Sequence, residues 1–174
     1  MKKLANFVLF QTVWFAAVLR AVEGDVWTGL AAAAAFVLIH LALLPAGDRP
    51  AELRYALLIG FGGAVLDSGL LALGVTAYPT SQAWSLPTAP PWILGLWIAF
   101  ALLPRFSLAW MKGRYALAAL FGAIGGPLSY AGGVRLGATG ADDPWWSYGG
   151  MALEYALVFP LMLAWATGSA SARR

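Results

Sequence analysis

The chemistry open to this chain is confined to a few polar side chains set inside long apolar runs. Asp67, Glu154, Arg20 and Arg135 fall toward one end of the hydrophobic segments, with Tyr130 among them, while Gln11, His40 and Arg105 fall toward the other. An ionisable group deep in hydrocarbon persists only where a partner or a wet cavity offsets its desolvation. Asp67 and Glu154 therefore suit proton binding, ion pairing or contact with a substrate, and the guanidiniums of Arg20 and Arg135 balance their charge. These two arginines also read as snorkelling residues. Arg105 follows Pro104, whose missing N–H frees a carbonyl one turn earlier. A guanidinium there can satisfy that carbonyl or hold an anionic headgroup. His40 and Gln11 share its level, and each also reads as a structural hydrogen-bonding residue.

Catalytic templates return little. With no Cys and a single His, one chain cannot assemble a haem pair or a multi-histidine metal centre, so no metal and no cofactor is expected. No Gly-x-Ser-x-Gly elbow, P-loop or dinucleotide fingerprint occurs. Asp67 with Glu154 leaves room for acid-assisted hydrolysis in the membrane, although two carboxyls alone are a weak signal. Ser68 points about 100° away from Asp67 on a helix, which makes it a poor nucleophile partner. Asp142-Asp143 reads as a solvated loop that caps the start of the last helix.

The elements that must position these residues follow from composition. The chain has 174 residues, 61% of them hydrophobic and only 11% charged, with a mean hydropathy of +0.74. About a quarter of a soluble domain is charged, so a cytoplasmic enzyme, a nucleic-acid-binding domain and a disulfide-built module are excluded. The net charge of +3 comes from basic residues scattered in ones and twos at segment ends, not from a basic patch. At about 20 residues per span, the length fits a compact bundle of six transmembrane helices in one all-α integral membrane domain. The segments predicted are Leu4–Val22, Trp27–Leu44, Tyr55–Thr76, Pro91–Trp110, Tyr115–Val134 and Gly149–Thr167. Lys2-Lys3 before the first run imitates a signal peptide, but Arg20 and the lack of a small-x-small site before Glu23 favour a retained helix.

Loop charge sets the expected orientation. Lys2, Lys3, Arg49, Arg54, Lys112, Arg114, Arg173 and Arg174 fall on one side, and only Arg20 and Arg135 on the other, so both termini are expected in the cytoplasm. Asp67 then lies roughly 20 Å from the inner boundary. Gly60, Ala64, Asp67, Leu71 and Gly74 share a helix face, Gly122, Gly126, Tyr130 and Gly133 another, and Gly150 and Glu154 a third. Small-residue stripes of this kind let helices approach closely. Helices three, five and six are accordingly expected to close around Asp67, Tyr130 and Glu154.

Several local patterns, taken in order, resemble the bacterial membrane proteins of domain-of-unknown-function family 2878. They are Asn6-x4-Gln11-x2-Trp14-Phe15, Pro91-Trp92-x4-Trp97-x2-Phe100, Ser107-Leu108-x-Trp110, Phe121-Gly122-Ala123-x2-Gly126-Pro127-x2-Tyr130-x2-Gly133 and Leu136-Gly137-Ala138. Pro104-Arg105-Phe106 departs from the family, which is more polar before the Ser-Leu pair. The resemblance implies a small multi-pass protein of the bacterial inner membrane, in the company of lipid-modifying genes, and supplies no activity or catalytic residue. Three readings stand at this point: a protein that binds or moves a small or lipidic ligand, a membrane-embedded lipid-modifying enzyme or its partner, and a structural subunit of a larger membrane complex. Membrane lipids are the expected partners, and the Gly/Ala-rich faces also allow a homo-oligomer. A continuous polar cavity would favour the first reading, a site opening sideways to lipid the second, and a cavity-free bundle the third.

Overall fold

A computed structural model describes residues 2–79 and 83–171, with side chains in the last helix as far as Ala166. Arg173 and Arg174, counted above for orientation, lie outside the described residues. Among the described residues six α-helices follow one another: α1 (Lys2–Val22), α2 (Thr28–Ala42), α3 (Arg49–Ala72), α4 (Pro91–Ala101), α5 (Tyr115–Leu136) and α6 (Pro144–Ser171). Among the described residues there is no β-sheet, only an isolated bridge between Ala77 and Gly140. Four stretches, Lys2–Val22, Ala46–Ala72, Tyr115–Leu136 and Pro144–Ala166, are long and apolar enough to cross a membrane.

Three helices differ from the expected segments for identifiable reasons. α3 begins at Arg49, with Pro50 in its first turn, where a missing N–H costs no helical bond. α6 begins at Pro144 because Asp143 accepts from the backbone N–H groups of Trp145 and Trp146. α4 is the largest correction. It ends at Ala101 instead of continuing to Trp110, and turns lead to a short 3₁₀ helix at Ala109–Met111. Pro104 cannot donate to the preceding turn, and its ring disfavours helical geometry at the residue before it. An 11-residue helix rises only about 16 Å, so backbone past Ala101 must find partners inside the protein. Asn6 of α1 supplies them. Its amide nitrogen donates to the Leu102 carbonyl at 3.4 Å, and its amide oxygen accepts from Ser107 N at 3.3 Å and Ser107 Oγ at 2.7 Å.

Hydrogen bonds between connections fix the topology. Ala77 and Gly140 exchange backbone bonds, and Ala83 N donates to Gly24 O, so the α1–α2, α3–α4 and α5–α6 connections share one face. Asn6 with Ser107, Arg105 with Asp48, and Tyr55 with the Met162 carbonyl gather the other ends on the opposite face. The beginning of α1 and the late turns of α6 both belong to that second face. α4 is the central helix, packed against α1, α2 and α3. Its Trp92 and Trp97 are almost fully buried, as suits a helix apolar on every side. α5 and α6 form a hairpin whose close approach depends on glycine. A Cβ on Gly122 would stand 2.2 Å from the Tyr155 carbonyl oxygen, and one on Gly126 would stand 2.5 Å from the Tyr155 ring.

Candidate functional site

Asp67 is fully buried, about three-quarters of the way along α3, on the face carrying Gly60 and Gly63. Gly63 is what lets α4 come so near. A Cβ there would meet the Trp97 ring at 2.1 Å, and with only hydrogen in its place the indole slides over α3 toward the carboxyl. Trp97 Nε1 donates to Asp67 Oδ2 at 2.5 Å, and the Tyr130 hydroxyl of α5 donates to Oδ1. The Trp97 ring stacks on Tyr155 of α6, with centroids 5.0 Å apart and planes 16° from parallel. One carboxyl thus ties three helices together, and the stack adds a fourth.

Beside this knot lies a cavity of about 480 Å³. α1 lines it with Phe7, Phe10, Gln11 and Trp14, and α4 with Trp92, Trp97 and Phe100. The third wall is α5, with Phe121, Gly122, Gly125, Gly126, Ser129 and Tyr130. Asp67 and Thr139 also line it. Trp14 Nε1 donates to Ser129 Oγ at 2.9 Å and so bridges α1 to α5 across the cavity. The lining also includes Phe7, Phe121 and Leu128, which are 47%, 49% and 65% exposed, so the space opens sideways on the apolar exterior between α1 and α5. The walls are overwhelmingly apolar and aromatic, with Asp67, Tyr130, Thr139, Gln11 and Ser129 as isolated polar points.

A family comparison can now be set beside this geometry. The sequence pattern of the family described as "Protein of unknown function (DUF2878)" matches residues 3–161. The chain belongs to the DUF2878 family. No curated protein and no solved structure matches it. The short patterns that resemble DUF2878 in sequence are joined in space in this member. Asn6 meets Ser107, Trp14 meets Ser129 next to Tyr130, and Trp97 and Tyr130 meet at Asp67.

Placement of the other expected site residues is mixed. Both oxygens of Glu154 are buried without a hydrogen-bond partner, and the carboxyl stands close enough to Asp67 and Tyr78 to interact with them electrostatically. Glu154 does not line the cavity. The arginines expected to balance these acids do not reach them. Arg20 pairs with Glu23 and Asp25 beyond the end of α1, and Arg135 is exposed. Nor do Gln11, His40 and Arg105 form one layer. Gln11 lines the cavity, whereas His40 Nε2 lies 3.0 Å from Glu52 Oε1, and Arg105 pairs with Asp48 and lies 3.8 Å from Glu52 Oε2. The anionic groups at Arg105 are therefore the protein's own carboxylates.

Sequence reasoning missed Trp97, Tyr155, Trp14, Ser129 and Thr139 as parts of the site. One signal was available for Trp97, since an indole N–H deep in an apolar helix needs an acceptor. Asp67 is the one acid in the apolar stretch of α3.

Proposed function

We propose that this DUF2878 protein binds an amphiphile drawn from the bilayer, with its apolar chain in the α1–α4–α5 cavity and its polar end at Asp67. The observation that carries this reading is the sideways opening between α1 and α5, which leads from exposed apolar side chains to a fully buried carboxyl. Ligand sites are typically apolar clefts of about 300–1,000 Å³ with few, well-placed polar groups, and this one has that character. A ligand that must enter from water would meet an apolar wall, whereas a lipid chain already lies outside it. The charge distribution of the connections supports a multi-pass arrangement with both termini in the cytoplasm.

The sideways opening also favours a second reading, in which the bound lipid is chemically altered and Asp67 is the acid–base group that touches it. Binding is common to both readings, so binding is what must be tested first.

Gly125 supplies the test. It lines the cavity, and a Cβ built on it meets nothing within 4 Å, so Gly125→Phe fills the space without a clash near the backbone. Gly62 on the exposed side of α3 is equally open and lies away from the cavity, which makes Gly62→Phe the control. Native mass spectrometry of gently solubilised protein should show a retained lipid in the wild type and in Gly62→Phe, and none in Gly125→Phe. Equal retention by all three would refute the assignment.

A further inference from the structure

Around Asp67 the structure offers more acceptors than donors. Asp67 has a second lone pair on each oxygen beyond those used by Trp97 and Tyr130. Glu154 offers two buried oxygens with no partner behind it. Thr139 is 5% exposed, lines the cavity, and its Oγ1 has no hydrogen-bond partner. The Ala77–Gly140 bridge sets Tyr78 opposite Thr139, so these two side chains project to the same side of the paired segments. Among the described residues neither Lys nor Arg lines the cavity. Arg20 is engaged by Glu23 and Asp25, and Arg105 by Asp48 at the opposite face.

Resting on the binding reading above, we infer that the amphiphile's polar end is a protonated primary amine, seated against Asp67 and the Thr139 hydroxyl with Glu154 behind them. Three hydrogens of an ammonium match this set of acceptors. Its charge compensates a buried carboxylate, which neutral donors such as an indole or a phenol do not. A phosphate or carboxylate head would find no basic side chain there and would face two acids. A hydroxyl head would satisfy one or two hydrogen bonds and leave the charge unmatched.

The experiment compares 11-bromoundecylamine with 11-bromoundecanol as quenchers of tryptophan fluorescence in the purified protein, since Trp14, Trp92 and Trp97 line the cavity. The amine should quench saturably and bind about tenfold more tightly than the alcohol, the ratio expected of one charge-assisted contact. Asp67→Asn should abolish that advantage. Glu154→Gln, which removes no hydrogen bond, should reduce it and covers the case in which Asp67→Asn fails to fold. Equal binding of amine and alcohol, with both lost in Gly125→Phe, would overturn the amine assignment and leave the cavity reading standing. Absence of saturable quenching by either probe would overturn both.

Discussion

Trp97 on α4 holds Asp67 on α3 through its indole nitrogen, 2.5 Å from Oδ2, and both residues are almost fully buried. Removing one partner from such a pair leaves the other buried and unsatisfied, at a cost of about 1–3 kcal/mol. Trp97→Phe keeps the ring that packs on Tyr155 and loses only the donor and some ring area. It should lower thermal stability in detergent by that amount. Trp84→Phe loses only a bond to the Thr88 carbonyl in the α3–α4 connection and should have a much smaller effect. Equal effects would show that the Asp67 contact contributes nothing.

Asn6 and Ser107 close the break at the end of α4, 101 residues apart in sequence. Asn6→Ala should destabilise by about 1–3 kcal/mol, because the Leu102 carbonyl and the Ser107 N–H both lose a partner. The Asn6→Ala, Ser107→Ala double variant should be more stable than the sum of the two single losses implies, since the pair acts as a unit. A thermal-unfolding cycle with strictly additive losses would contradict the coupling.

Two glycines of α5, three residues apart, should respond in opposite directions. Gly122→Ala pushes a methyl into the Tyr155 backbone and should cost about 1–3 kcal/mol by forcing α5 and α6 apart. Gly125→Ala meets open space and should stabilise the protein by about 0.5–1 kcal/mol through helix propensity. Melting temperatures of the two variants check both signs together.

Outside the bundle, Asp25 accepts from the Thr28 hydroxyl and from the N–H groups of Trp27 and Thr28, capping α2. These bonds, led by the Thr28 hydroxyl, hold its carboxyl far below the ordinary value of 3.8. Lowering the folded value makes the ionised form the stabilising one. The contribution is complete above the unfolded value and fades as pH falls below it. The stability gap between wild type and Asp25→Asn should therefore be constant from neutral pH to about pH 5 and narrow below about pH 4. A gap that widens on acidification would reverse the assignment.

Much of the architecture was legible because apolar runs and turn residues report directly on helix number. The start of α5 was placed correctly at Tyr115, after the Lys112-Gly113-Arg114 break. The stop of α4 was signalled by Pro104 and misread because the apolar run continues to Trp110, and run length alone does not distinguish helix from buried turns. Asp67 and Tyr130 were selected by type and face, and these two meet. What composition could not reveal is which helix lies between them. Placing α4, with Trp97, at the centre follows from the Gly63 approach, a distance that no spacing rule encodes. The arginines illustrate the converse. Similar depth suggested pairing with Asp67, whereas Arg20 found Glu23 and Asp25 only three and five residues away in sequence, at far smaller conformational cost.

The central claim is that a lipid chain occupies the cavity between α1 and α5 and ends at Asp67. Nuclear Overhauser effects in a lipid nanodisc test it most directly, because Gln11 and Trp14 place side-chain N–H groups in the cavity wall. Contacts from lipid methylene protons to the Gln11 amide and the Trp14 indole N–H should be present in the wild type and vanish in Gly125→Phe. Methylene contacts confined to exposed side chains such as Leu38 and Val65, with water contacts at the Trp14 and Trp97 indoles, would contradict it.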